Sequence, residues 1–143
     1  MVTSELRPVA VVSSTASDAH TWNLVYLQLL LEELGFAVSN LGACVPDDLV
    51  VGECRRLGPD VVVISTVNGH GHADGLRLAP RLRALPELAG TALVIGGKLG
   101  VDGTRGAAGE LRLCAAGFDR VFGDGDIGAF RRYLAALAVG VAS

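Results

Sequence analysis

Aromatic residues are scarce in this 143-residue sequence: four Phe, two Tyr and one Trp. Its core must be built from Val, Leu, Ile and Ala, and nineteen glycines point to many tight loops. Cysteine is sparse too. Cys44, Cys54 and Cys114, odd in number and far apart, suggest neither a disulfide framework nor a thiolate zinc site, and a reducing cytoplasm is the expected location. No charge of one sign dominates. Twelve basic and 15 acidic residues leave a net charge of -3, spread without a basic stripe or an acidic tail, so no nucleic acid partner is expected. No apolar run reaches the ~18 residues a spanning helix needs. The opening MVTSELRP lacks the basic start and apolar middle of a signal peptide, so a soluble protein with no membrane partner is expected.

The chain length suits a single domain over residues 1–143, with a core over residues 7–138. Runs rich in Val and Ile predict buried strands at Val9 to Ser13, Val61 to Ser65 and Ala92 to Ile95. Weaker strands are expected at Ala37 to Asn40 and Asp119 to Phe122, following Gly35-Phe36 and Gly117-Phe118, which look like helix C-caps. Helices are predicted over Thr21 to Leu34, Asp47 to Leu57, Gly75 to Leu85, Gly106 to Ala116 and Ile127 to Val139, with Val139 to Ser143 frayed. Pro46 with Asp47-Asp48 suits a helix start, and Arg55, Arg56 and Gly58 suit its end. The first helix is apolar on too much of its circumference for one narrow stripe, so it is deeply packed or serves a second interface.

Strictly alternating strands and helices with no hairpin turns imply an α/β fold: a flavodoxin-like (Rossmann-like) doubly wound, five-stranded parallel sheet of order 2-1-3-4-5, with helices on both faces. In such a sheet ligands bind beyond the C-terminal strand ends, where the strand order reverses between the first and third strands. The loops leaving those ends and that of the fourth strand read STASDAHTWN, STVNGHGHAD and GGKLGVDGTR. By themselves Asp18 and His20 have two readings. Asp18 caps a helix, or it holds the His20 imidazole in one tautomer while the other nitrogen binds a metal.

Read together, Asp18-Ala19-His20, Ser65-Thr66-Val67 and Gly96-Gly97 resemble the three signatures of cobalamin-binding domains: D-x-H-x-x-G, S-x-L or S-x-V, and a glycine pair. The resemblance covers nearly the whole chain in order and spacing, and looks closest to the cobalamin-binding small subunit of glutamate mutase (methylaspartate mutase). It implies cofactor contacts from Ser17, Asp18, Ala19, His20, Thr21, Trp22 and Asn23, from Ser65, Thr66, Val67, Asn68 and Gly69, and from Gly96, Gly97, Lys98 and Gly123. His20 would be the lower axial ligand of cobalt through Nε2, with Asp18 accepting the Nδ1 proton and the benzimidazole tail displaced, the base-off arrangement. Ser65 and Val67 would line the tail's slot, Ser65 bonding a ring nitrogen, and Gly96 and Gly97 would admit backbone close to the tail.

The sequence departs from the pattern at one motif position: Asn23 stands where the family has glycine. Asparagine tolerates positive φ and caps helices, so the backbone is expected to survive while the added side chain narrows the slot. Trp22 is either a wedge facing the corrin or a ring packed under the first helix.

The resemblance implies an isomerase subunit that holds adenosylcobalamin against a separate, larger barrel subunit and supports conversion of L-glutamate to 3-methylaspartate. Substrate residues would then lie on that partner, and no catalytic acid or base is expected here. The apolar first helix and Val45, Val67 and Leu99 are candidates for the interface. The alternatives are a non-catalytic cobalamin carrier or sensor, or the corrinoid protein of a methyltransferase system. Methyl carriers usually add an N-terminal helical cap, whereas about seven residues precede the first strand here.

Other readings are weaker. His20, His70 and His72 would make a three-histidine zinc site only with carboxylate support that the sequence does not show, so His70 and His72 are expected to line the corrin edge or face solvent. GHGHADG lacks the glycine spacing of a dinucleotide fingerprint. Gly123-Asp124-Gly125-Asp126 lacks the later Glu of a calcium loop. A phosphoryl-accepting receiver needs an Asp ending the third strand, where Ser65 and Thr66 stand. Cys44 has no nearby base and is expected to be buried.

Overall fold

A computed structural model of the chain describes residues 7–15, 22–66, 71–97, 106–122 and 127–142. Strands β1 (Val9–Ser14), β2 (Ala37–Gly42), β3 (Val61–Thr66), β4 (Ala92–Gly97) and β5 (Arg120–Phe122) form one parallel sheet of order β2-β1-β3-β4-β5. Helices α1 (Trp22–Glu33), α2 (Asp47–Leu57), α3 (Gly71–Arg83), α4 (Gly106–Ala116) and α5 (Ile127–Ala142) alternate with the strands, and a 3-10 turn at Pro86–Leu88 precedes β4. The doubly wound fold expected from the alternation is the one observed. No helix among the described residues is long and apolar enough to cross a membrane.

Strand alternation divides the core in two. Ala10, Val12, Val61, Val63, Ala92 and Val94 face α1 and α5, meeting Leu24, Leu27, Leu31, Phe130 and Leu134. Val11, Val62, Ile64, Leu93 and Ile95 face α2, α3 and α4, meeting Val50, Cys54, Leu78, Leu82 and Leu113. The central strands are buried on both sides, which is why they are continuous β-branched runs rather than alternating ones. Each fully buried Val or Ile contributes about 1.5–3 kcal/mol relative to exposure.

Glycine ends three of the helices, as the sequence suggested. Gly35 (φ 104°) donates to Glu32 O and Phe36 to Leu31 O, at 3.1 and 3.0 Å, and Gly117 (φ 139°) and Phe118 repeat this pattern on Cys114 O and Leu113 O. In each case the residue after the glycine is a Phe that packs into the core the strand then joins. Gly58 closes α2 in the left-handed conformation, its N–H on Cys54 O at 2.9 Å.

Two helices differ from expectation at their ends by more than one residue. Helix α3 begins at Gly71, four residues before the expected Gly75, because a Gly-His-Gly-His stretch carries no start signal while Asp74 and Arg77 pair inside the first turns. It stops at Arg83 because Pro86 forces Leu85 into extended backbone (φ -82°, ψ 121°). Helix α5 continues to Ala142, so the fraying expected from Val139 is absent over 139–142.

The N-terminal end of the sheet is cross-linked by side chains. Asp60 accepts from Val9 N–H at 2.8 Å, Thr91 Oγ1 donates to Pro59 O at 2.6 Å, and Asp119 accepts from Leu93 N–H at 2.9 Å. Arg83 donates to the carbonyls of Gly117, Leu88 and Thr91 and to the Asp119 carboxylate. A depression of about 510 Å³ lies beside Arg83, Thr91, Cys114, Asp119 and Tyr133 at this end, away from the switch point.

Candidate functional site

The strand order reverses between β1 and β3: β1 pairs with both β2 and β3, and β3 with β4. At that point the register places Ser14 beside Ser65, Ser65 beside Gly96, and Gly96 beside Phe122. Alternation puts Ser14, Ser65 and Gly96 on the face of α1 and α5. Nothing longer than a hydroxymethyl projects from three adjacent strand ends there. Gly96 also answers a contact within the sheet: a Cβ at this position would lie 3.2 Å from the Phe122 carbonyl oxygen.

The next row, Thr66 beside Gly97, turns to the opposite face, toward α2, α3 and α4. Ser65 and Thr66, adjacent in the motif, therefore cannot line the same side of the sheet. Thr15 is the residue that follows β1. Thr15 and Thr66 are both buried, and among the described residues neither Oγ1 finds a hydrogen-bond partner. Thr15 was not among the residues that the motifs single out.

Of the other expected contacts, Trp22 and Asn23 are the first two residues of α1. Asn23 is thus inside the helix rather than capping it, and its backbone needs no left-handed conformation; among the described non-glycine residues Cys44 alone has a positive φ, 51°. The glycine-to-asparagine departure costs the backbone nothing special, and its consequence is confined to the side chain. Ser17, Asp18, Ala19, His20, Thr21, Val67, Asn68, Gly69, Lys98 and Gly123 lie outside the described residues, as do His70, Leu99 and Asp124 to Asp126. The segments that carry them leave the C-terminal ends of β1, β3, β4 and β5, the edge that holds the Ser14–Ser65–Gly96 row. His72 falls in the first turn of α3 rather than in a loop. Among the described residues no cluster of His, Cys, Asp or Glu could hold a metal ion.

Three expectations about surface residues change. Val45 is 2% exposed and belongs to the α2/α3 core, because it precedes Pro46 where the chain turns inward. Cys44, expected to be buried, is exposed. Cys54 is the buried thiol, and desolvation pushes its pKa up to about 12. On α1 the outward residues Val25, Tyr26 and Leu29 are 52%, 46% and 60% exposed, while Leu24, Leu27, Leu30 and Leu31 are buried. The helix is both deeply packed and apolar outside.

Behind the site, the guanidinium of Arg77 on α3 bridges Asp47, in the first turn of α2, and Asp74, in the first turn of its own helix, with 3.1 Å contacts to each. The bond to Asp47 is the main cause holding the Arg77 pKa above its usual value. Arg81 similarly pairs with Asp48. These pairs tie the start of α2 to α3, along two turns of the latter, on the face of the sheet that Thr66 shares, and no motif foreshadows them.

The B12 binding domain family matches residues 8–129, from the residue before β1 to the start of α5. The chain belongs to this B12-binding family. The chain is similar to the glutamate mutase sigma subunit of Halobacterium salinarum, 35% identical over 119 residues that cover 83% of this chain and 78% of that one. The glutamate mutase sigma subunit of Fusobacterium nucleatum is 30% identical over 117 residues, covering 80% and 84%. Among solved structures, a cobalamin-binding protein from Desulfitobacterium hafniense superposes with a TM-score of 0.74 at 19% identity, over 92% of this chain. The chain spans 59% of that longer protein, and at this identity the likeness is one of fold. Membership in the B12-binding family agrees with the site's small-residue row.

Proposed function

We propose that this chain is the cobalamin-binding small subunit of an adenosylcobalamin-dependent carbon-skeleton mutase of the glutamate mutase type, which interconverts L-glutamate and 3-methylaspartate. The observation that carries the reading is the register of Ser14, Ser65 and Gly96, three minimal side chains abreast at the switch point, in a chain whose relatives are glutamate mutase sigma subunits. Such a row suits a flat aromatic tail lying between the sheet and helices α1 and α5, with the Ser65 hydroxyl bonding a ring nitrogen. His20 would bind the cobalt and Asp18 would hold its imidazole in one tautomer. The bound group supplies radical chemistry at its cobalt–carbon bond. This chain's residues bind and orient it, and the groups that meet the substrate belong to a larger partner subunit. The outward Val25, Tyr26 and Leu29 of α1, the helix that follows the His20 segment, suit that partner's docking.

The test is a visible-absorbance titration of methylcobalamin with the purified chain, wild type beside His20→Ala, at neutral pH. The expected result is a histidine-ligated, tail-displaced spectrum in the wild type that the variant lacks; identical spectra would sink the ligand assignment. Isomerisation of L-glutamate by a mixture of this chain and a glutamate mutase large subunit tests the reaction. A second reading, a non-catalytic cobalamin carrier, is favoured by Asn23 at the motif glycine, and histidine ligation without such activity would select it.

A further inference from the structure

Hydroxyls near the strand ends are in general well satisfied. Ser13 Oγ donates to Ser14 O at 2.8 Å, and at the opposite end of the sheet Thr91 Oγ1 donates to Pro59 O. Thr15 and Thr66 break this pattern. They are 2% and 1% exposed, and among the described residues neither Oγ1 has a partner. Ser14 pairs with Ser65, and Thr15 and Thr66 are the residues that directly follow them, so both unpartnered oxygens lie at the strand ends that flank the switch point. A buried hydroxyl left unpaired carries its full desolvation cost. Packing does not demand it. Valine has nearly the same shape, and β1 and β3 use it at Val9, Val11, Val12, Val61, Val62 and Val63.

Resting on the reading that this chain binds a cobalamin, we infer that Thr15 and Thr66 form a second recognition element for that ligand: two buried hydroxyls at the strand ends, that of Thr66 on the sheet face opposite Ser65, that hydrogen-bond carboxamide groups at the rim of the corrin ring. Each hydroxyl both donates and accepts, which is the complement of a primary carboxamide with its carbonyl oxygen and NH₂ group. The tail, a flat ring with few polar atoms, suits the Ser14–Ser65–Gly96 row. The corrin rim, which carries several primary carboxamides, suits two buried hydroxyls that, among the described residues, have no partner within the fold. The two faces of one strand end thereby recognise two chemically different parts of one molecule.

The experiment compares cobalamin with cobinamide, which keeps the corrin and its carboxamides but has no nucleotide tail. Affinities are measured by absorbance titration of the intact chain for wild type, Thr15→Val, Thr66→Val, Thr66→Ser and Ser65→Ala, alongside thermal unfolding without ligand. Each Thr→Val change is expected to weaken both ligands about three- to tenfold, the range of one neutral hydrogen bond. Thr66→Ser, which keeps the hydroxyl, should bind like the wild type. Ser65→Ala should weaken cobalamin and leave cobinamide unchanged. Wild-type affinity in both Val variants, with a raised melting temperature, would overturn the inference and leave the hydroxyls as a cost to the fold alone. Weakening of cobalamin but not cobinamide by the Val variants would assign them to the tail and overturn it as well. A wild type that binds neither compound would defeat the cobalamin reading itself, a result distinct from both.

Discussion

The guanidinium of Arg83 meets the carboxylate of Asp119 at 2.6 Å, and the same carboxylate accepts the N–H of Leu93 in β4. Arg83 also serves three carbonyls, so one side chain joins the end of α3, the 3-10 turn, β4 and the start of β5. Replacing it with Leu is expected to lower the free energy of unfolding by about 2 kcal/mol, with Arg83→Lys recovering only part because an ammonium lacks the planar fork. Urea denaturation checks this, and a wild-type midpoint for Arg83→Leu would show the network to be dispensable.

Two glycines inside helices should respond to alanine with opposite signs. A Cβ at Gly75 would lie 2.8 Å from Ile95 Cδ1, 3.0 Å from Leu113 Cδ2 and 3.3 Å from Phe118 Cε2, all in the core. Gly75→Ala should therefore destabilise by about 1–3 kcal/mol through overpacking, despite alanine's better helix propensity. Gly52, in the middle of α2, has nothing within 4 Å of the added carbon. There Ala should stabilise by up to about 1 kcal/mol. Thermal melts of the two variants decide, and changes of like sign would mean that α3 does not approach β4 this closely.

Thiol chemistry should separate the cysteines. Cys44 and Cys114 are exposed and Cys54 is buried, so native protein is expected to react with a soluble thiol reagent at two sites and denatured protein at three. Burial raises the Cys54 pKa from 9.0 to about 12. The folded state then keeps its proton between those values while the unfolded chain loses it, so Cys54 favours folding less as pH rises above 9. Cys54→Ala should flatten that part of the stability–pH curve. An unchanged slope would place the alkaline loss elsewhere.

Because Asn23 is helical, Asn23→Gly should cost the apoprotein only a few tenths of a kcal/mol while restoring the glycine that the cobalamin-binding motif has at this position. Tighter cobalamin binding is the expected outcome. Equal affinity in a titration would show the asparagine to be harmless, and weaker binding would give it a direct role.

What could be read from the sequence depended on whether the signal was local. Val61 to Ser65 announced a doubly buried strand because a run of β-branched residues has few other uses, and Gly35-Phe36 announced both a helix end and the strand that follows. The start of α3 was hidden because His and Gly favour no helix and the supporting Asp74–Arg77 pair lies further along. At the site, the motif named Ser65 and Thr66 as neighbours, but only the pleat separates their faces. Thr15 carries no local signal, because its place beside the end of β3 is set by the β1–β3 register, which pairs Ser14 with Ser65. The Asp47–Arg77 bridge is non-local in the same way, and one-dimensional patterns carry no trace of it.

The side-chain cross-links of Asp60, Thr91, Arg83 and Asp119 all lie at one end of the sheet, opposite the strand ends that bear the site. The scaffold's integrity and its selectivity are thus encoded by separate sets of positions. A lineage could rewrite one end to suit a new ligand while the other kept the chain folded, and this independence helps explain how one architecture lends itself to unrelated tasks.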